Sequence, residues 1–408
     1  MFSRVARFAA VAPVAVLLLA ACGTNKNEAA GGSAGCDTGK GNLVVGVIAP
    51  LSGDLAAVGL GIRNATQLAV DEANAKCAVK GYKLVADPED DQATPQVGAQ
   101  AATKLSSDDT VLGVVGTYNS SVAQVVQPIL NTKHIPMVSP ANTNPSLTVG
   151  PDAAHPKRQF ENYFRVCTTD AFQGPFGADY AVKNANAKNI VTIDDGKTYG
   201  VGLVQQFTQQ AVKDGAKVVD HEQVSEKDTD FSGVLTKIKR FTPDTIYYGG
   251  EYPVAGPLSR QAATMGLKVA MMGGDGIFDA KYVQLGGREG DLATSVGAPT
   301  DQLQTAQDFV KAYNAKGFKD PYAAYGAFAY DAANAIIAST AKTLGDAGTW
   351  SASQRKAEIK NIGSYSADGA TGSIGFDEFG DSKNKVLSVY QVSGDNWKPV
   401  LTGTPSGN

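Results

Sequence analysis

The chain has 408 residues, too many for one ordinary hydrophobic core and enough for two domains. Charged residues make up 19% and the net charge is −4, so the composition carries no basic footprint for nucleic acid. Its 45 glycines suit many tight strand-to-helix turns.

The N-terminus reads as an address. Arg4 and Arg7 form a positive start, and Phe8 to Ala21 is an apolar run of 14 residues, too short for a comfortable transmembrane helix. It ends Leu19-Ala20-Ala21-Cys22, the pattern of a bacterial lipoprotein signal, in which the cysteine is lipidated and becomes the mature N-terminus. The alternative is an ordinary secretory signal with a chance cysteine. Residues 1–21 are therefore expected to be signal peptide and 22–42 a flexible tether, because Gly23 to Gly35 is too poor in apolar side chains to offset the entropy of ordering. No later stretch is long and apolar enough to span a membrane. The folded part is expected outside the cell membrane, held to it by lipid.

That compartment is oxidising. With Cys22 assigned to lipid, Cys36, Cys77 and Cys167 remain. Cys36 precedes the first strand. Cys77 ends the first helix, which runs back antiparallel to that strand, so a Cys36–Cys77 disulfide is reasonable and Cys167 is left as a buried thiol. The spacing suits no zinc site.

Leu43 to Ala49 is the first strand, followed by the turn Pro50 to Asp54 and an amphipathic helix from Val58 to Lys76. Tyr82 to Asp87 is the second strand, ended by the acidic turn Pro88-Glu89-Asp90-Asp91, and Pro95 to Leu105 the second helix. Val111 to Val115 is an apolar run fit for a buried parallel strand. It leads into the polar turn Thr117-Tyr118-Asn119-Ser120-Ser121 and a helix over Val122 to Leu130, with Ser120 or Ser121 as N-cap. Ile135 to Ser139 is the next strand, breaking into a second polar turn, Pro140 to Pro145. Two successive strands thus end in small hydroxyl and amide residues, at the sheet edge where ligands sit in open α/β folds. Free N–H groups at a helix start there would suit a carboxylate.

After a strand at Asn162 to Val166 the pattern starts afresh. Helices are expected at Phe172–Asn186, Gly200–Lys213, Phe231–Phe241 and Val254–Met265; strands at Ile190–Ile193, Lys217–Asp220, Thr245–Tyr248 and Val269–Met272. A strand over Leu292 to Gly297 leads back, then come helices at Thr305–Lys316, Tyr322–Leu344 and Ser353–Ile362. Ser373–Gly380 and Val386–Val392 read as a closing antiparallel hairpin. The fold class is α/β: two doubly wound parallel-sheet lobes joined by a multi-strand hinge. The N-terminal lobe is expected over 43–166 plus 298–367 and the C-terminal lobe over 167–297 plus 368–401.

Little in the chain suggests catalysis. His134, His155 and His221 sit in no metal-like or triad-like spacing, and no phosphate loop, nucleophile elbow or dinucleotide fingerprint is present. No cofactor or metal is expected. The strand ends offer instead a kit for a zwitterion: hydroxyls from Ser120, Ser121 and Thr143, acids from Asp170, Glu251 and Asp275, and aromatics from Tyr118, Tyr199 and Tyr252. Asp275, set between glycines, is the least ordinary of these.

These residues resemble the leucine/isoleucine/valine-binding proteins, the type I periplasmic substrate-binding proteins of branched-chain amino-acid ABC transporters. The resemblance runs from about Leu43 to the C-terminus and is carried by VGVIAPLSGDLAAVG, VVGTYNSS, PMVSPANTNP, FRVCTTDAFQGP, IDDGKTYGVG, IYYGGEYPVAGPLSRQA and MMGGDG. It implies that Ser120 and Thr143, with the backbone near Ala141, take an α-carboxylate. It implies Asp275 for the α-ammonium and Tyr199 as a lining residue of the second lobe. Two positions depart: Glu251 stands where leucine-binding members have an aromatic, and Val58 replaces the aromatic after the first turn. Glu251 either moves the preference toward a polar or cationic substrate or points to solvent.

The expected function is a lipid-anchored receptor, monomeric and not an enzyme. It delivers an amino acid, branched-chain or otherwise aliphatic, to an ABC permease. A sensor subunit with the same lobes and an extracytoplasmic amide or peptide hydrolase are the rivals.

Overall fold

The computed structural model describes residues 36–345 and 348–405; the expected signal peptide, Cys22 and the linker up to Gly35 lie outside the described residues. Short apolar runs build the first sheet: β1 (Asn42–Ala49), β2 (Lys83–Asp90), β3 (Val111–Gly116), β4 (Met137–Ser139) and β5 (Tyr163–Arg165). All pair in parallel, in the order β2-β1-β3-β4-β5. The helices between them are α1 (Ala56–Ala75), α2 (Pro95–Ser106), α3 (Ser120–Thr132) and the single turn α4 (Ser146–Val149). Helices on both faces explain why every residue of β3 is buried.

The second sheet repeats the same winding. Its helices and strands alternate as α5 (Asp170–Asp179), β6 (Asn189–Asp194), α6 (Thr198–Lys213), β7 (Lys217–Gln223), α7 (Ser232–Lys239), β8 (Thr245–Gly249), α8 (Tyr252–Thr264), β9 (Ala270–Gly273), α9 (Ala280–Leu285) and β10 (Leu292–Ser295). The parallel part has the order β7-β6-β8-β9-β10, the counterpart of the first sheet's order. The chain then returns: α10 (Gln307–Lys316), α11 (Gly326–Leu344) and α12 (Arg355–Gly363) follow, and α11 packs against α1 and β3. A two-stranded ribbon, β11 (Ser366–Gly369) with β12 (Gly372–Gly375), leads to β13 (Leu387–Ser393) and β14 (Asn396–Gly403), which extend the second sheet antiparallel beyond β10.

Four local features differ from the sequence reading. β2 runs on through Pro88 to Asp90 instead of turning there; it is an edge strand, where a missing N–H costs no ladder bond on the open side. The hairpin expected between Ser373–Gly380 and Val386–Val392 does not form. β12 pairs with the nearer β11, and β13 is drawn into the second sheet, where Leu387, Val389 and Val392 are buried. The helix expected from Tyr322 starts only at Gly326, because Ala323 sits at φ +50°, outside helical geometry. The helix over 172–186 ends its regular course at Asp179 and continues as a π-helical turn, Tyr180–Asn184.

The described chain crosses between the sheets three times, after β5, after β10 and after β12. One buried arginine ties the first crossing to the third. Arg165, the last residue of β5, bonds Asp381 Oδ1 through Nε at 2.6 Å. Its other nitrogens donate to the carbonyls of Asn142 and Asn144 at 2.9 and 2.8 Å and to Thr148 Oγ1 at 2.6 Å. The polar turn after β4 is therefore fixed to the crossing strands. Among the described residues no helix is long and apolar enough to cross a membrane.

Cys36 and Cys77 form a disulfide with their Cα atoms 5.5 Å apart, and Cys167 is a buried free thiol. Burial pushes the Cys167 thiol far above its ordinary range. Alkylation of the native protein is expected to leave Cys36, Cys77 and Cys167 unmodified. In denaturant without reductant, peptide mass spectrometry should find Cys167 alone of the three modified. Replacing Cys36 with Ser is expected to cost about 2–4 kcal/mol in a urea titration, through the freed loop of the unfolded chain.

Candidate functional site

In each half the winding order reverses beside the first strand, and the loops at the carboxyl ends of the strands gather there. From the first half come Tyr118, Asn119 and Ser120 after β3 and Ala141 and Thr143 after β4. From the second come Tyr199 after β6, Glu251 after β8 and Asp275 and Gly276 after β9. Together with Tyr325 these residues enclose a cavity of ≈ 10 Å³. That is room for about one water, so the two halves are closed on one another and a larger ligand requires them to part.

Asp275 is the centre of the second wall. Its Oδ1 accepts from Tyr199 Oη and Gln173 Nε2, each at 2.8 Å, and its Oδ2 accepts from Tyr325 Oη. Gln173 Oε1 accepts in turn from the Asp275 N–H at 3.0 Å and from Thr294 Oγ1 at 2.8 Å, which fixes the amide. Gly276 allows the chain to pass here: a Cβ on it would lie 2.6 Å from the Gly250 carbonyl and 2.8 Å from the Tyr199 ring. Asp170 is buried behind this wall. It is joined to Asp275 through Gln173, whose Nε2 lies 2.9 Å from Asp170 Oδ1, and it is not among the residues that line the cavity.

The opposite wall is built on α3. Its N-cap is Asn119, not Ser120 or Ser121, and no side chain caps the helix. The Asn119 side chain is used across the cleft instead, donating from Nδ2 to Glu251 Oε1 at 3.0 Å. Ser120 is the first helical residue, and its Oγ accepts from the Asn144 N–H at 3.4 Å. Thr143 is buried, and its carbonyl accepts from the Asp170 N–H at 2.9 Å. The Ala141 N–H donates to Ser139 Oγ at 3.1 Å.

Glu251 does not point to solvent. Only 8% exposed, it accepts from Tyr118 Oη at 2.5 Å as well as from Asn119. Tyr252, its neighbour, turns away and donates to the Asp54 carbonyl at 2.6 Å. Asn144 Nδ2 adds a further link between the halves, 2.7 Å to the Thr198 carbonyl. The sequence reading missed Tyr325, Gln173 and the role of Asn119. Tyr325 lay inside an expected helix, and its ring meets Tyr118 edge-on at 5.4 Å only because α11 starts after it. Gln173 carried no signal, since a glutamine in a helix reads as surface.

Three acids share this region. Burial pushes Glu251 up to about 8, against the Tyr118 hydrogen bond that favours its charge. Burial and then the Asp275 charge push Asp170 up to about 8. Burial also raises Asp275, although Tyr325, Gln173 and Tyr199 hold its charged form.

The family described as "Periplasmic binding protein" matches residues 42–396. The chain is similar to the "Leu/Ile/Val-binding protein homolog 3" of Brucella melitensis biotype 1, with 32% identity over 352 residues, covering 86% of this chain and 91% of the relative. It is 31% identical to the "Leucine-specific-binding protein" of Salmonella typhimurium over 362 residues, 88% and 93% of the two chains. Among solved structures it is similar to a leucine binding protein from Thermotoga maritima, with a TM-score of 0.78, 29% identity, and 89% and 99% of the two chains covered. The substrate-binding protein of a Streptococcus pneumoniae branched-chain amino acid transporter, solved with isoleucine, also gives a TM-score of 0.78, at 25% identity and 89% and 100% coverage.

An acid whose pKa is raised by folding binds its proton more tightly in the folded chain. Its contribution to stability is complete below the ordinary carboxylate range and is lost as pH rises through the raised value. With Glu251 and Asp170 both near 8, the melting temperature is expected to fall as pH rises from about 5 to about 8 and to level off above that. Thermal scans of Glu251→Gln should show a shallower fall; an unchanged slope would place the effect elsewhere.

Proposed function

The chain belongs to the periplasmic binding protein family, and from that membership we propose that it is an extracytoplasmic receptor for a free α-amino acid. The observation that carries this reading is the opposition of two poles across one buried cavity. On one side stands the Asp275 carboxylate; on the other stand Ser120, Thr143 and the start of α3, with no side-chain cap. An α-ammonium pairs with Asp275, and an α-carboxylate takes the hydroxyls and N–H groups of the α3 wall. Tyr118 and Tyr199 line the cavity beside these poles. The leucine, isoleucine and valine in the relatives' names make branched-chain amino acids ligands to test. The poles themselves bind the part common to all amino acids.

The ligand bridges walls that belong to different sheets, so it binds the closed arrangement better than the open one and shifts the population toward it. The closed lobes are then recognised by an ABC permease; no bond is made or broken. We place the lobes at 43–166 with 298–367 and at 167–297 with 368–401. The protein works as a monomer tethered through lipid on Cys22, and the solved relatives support the amino-acid class of the cargo.

Calorimetric titration with amino acids, after unfolding and refolding to strip carried-over ligand, is expected to give one-to-one binding. Asp275→Asn keeps the shape and removes the charge that pairs with the ammonium. It is expected to weaken binding by about 2–5 kcal/mol, roughly 30-fold or more. A folded Asp275→Asn that binds as tightly as the wild type would move the ammonium site elsewhere.

A further inference from the structure

Glu251 and Asp275 both line the closed cavity, and among the described residues no lysine or arginine lines it with them. Lys197 is the cation that favours the charge of Glu251, and it is bonded to Glu226; Asp195 and Asp275 act the other way. An amino acid with an apolar side chain brings one ammonium and one carboxylate. It answers Asp275 and brings no hydrogen-bond donor to the buried Glu251.

Glu251 also stands between two spaces. It lines the closed cavity and an adjoining one of ≈ 370 Å³, bounded by Ser52 and Asp54 of the first half and by Asp195, Lys197, Glu226, Lys227 and Tyr248 of the second. On each side of it a buried polar atom has no hydrogen-bond partner. Asn119 Oδ1 belongs to a residue 4% exposed that lines the closed cavity. Tyr248 Oη belongs to a fully buried residue that lines the adjoining space. Both Glu251 oxygens are already held as acceptors, by Tyr118 Oη and Asn119 Nδ2. Acceptors, the Glu251 oxygens and Asn119 Oδ1, therefore stand on the cavity side, and the Tyr248 hydroxyl, which can donate or accept, stands on the side of the larger space. Buried acceptors of this kind call for donors.

We infer that the amino acid bound in this cleft carries a side chain ending in N–H donors, an ammonium, guanidinium or carboxamide, received by Glu251 and Asn119 Oδ1. Glu251 is then a specificity-determining residue, and a long side chain extends past it toward Tyr248. The inference rests on the amino-acid reading above and narrows it by side-chain class.

The test is calorimetric titration of the stripped protein with leucine, norleucine, glutamine, lysine and arginine. Lysine and norleucine have the same carbon skeleton and differ by the terminal amine. At least one donor-ended amino acid is expected to bind about tenfold or more tighter than both leucine and norleucine, since a site built to hydrogen-bond rejects the analogue that lacks the group. Glu251→Leu is expected to erase that preference. The wild-type comparison stands even where the variant fails to fold. Leucine or norleucine binding tightest to the wild type overturns the inference and leaves the receptor reading intact. A folded wild type that binds none of the five overturns both.

Discussion

The rest of the site depends on a carboxylate that has been taken out of water. Asp275 is buried where the two halves meet, and donors from both of them converge on it: Tyr199 and Gln173 from the second, Tyr325 from the start of α11. Burying a charge is expensive unless it is paired. The three donors recover part of that cost, yet burial still raises the Asp275 pKa. A cation arriving at this point therefore gains more than it would at an exposed acid. Gly276 and the fixed amide of Gln173 serve this arrangement, the first by letting the backbone pass close to Tyr199 and the second by locking the donor's orientation.

The architecture places that acid opposite a helix start without contrivance. Both halves are wound in the same order, so each has its reversal beside its first strand and each presents its loops at the same sheet edge. Facing the two edges produces one cleft with walls of independent origin. Arg165 then gives the first wall its rigidity. It holds the carbonyls of Asn142 and Asn144 while pairing with Asp381 on the third crossing, so the turn bearing Ala141 and Thr143 is fixed to the strands about which the halves must move. Removing that arginine would leave the buried Asp381 without its counter-charge.

The closed arrangement is itself held by specific bonds. Tyr118 and Asn119 reach Glu251, Tyr325 reaches Asp275, Tyr252 reaches the Asp54 carbonyl, and Asn144 reaches the Thr198 carbonyl. Each contributes on the order of 1 kcal/mol against water. Their sum favours closure without making it irreversible, because each group finds water when the halves part. A ligand between the walls adds contacts available only in the closed state, and that difference in affinity gives binding its mechanical consequence.

Sequence alone determined the α/β class, the repeated winding, the disulfide pair Cys36–Cys77 and the turns that carry Tyr118, Ser120, Thr143, Tyr199, Glu251 and Asp275. These are local signals: apolar runs bounded by glycine and polar turns mark buried strands, and residues at strand ends stay at the ligand edge whatever the packing. Tertiary structure alone decided which of those residues meet. Asp170 and Asp275 look alike in sequence, but one lies behind the wall and the other on it. Tyr325 entered the site because a single residue, Ala323, left helical geometry and delayed α11. The direction of Glu251 was open in the sequence, since an acid after a strand is as often solvated as buried. It was set by Tyr118 and Asn119, more than 130 positions away along the chain, and no local pattern carries a contact across that separation.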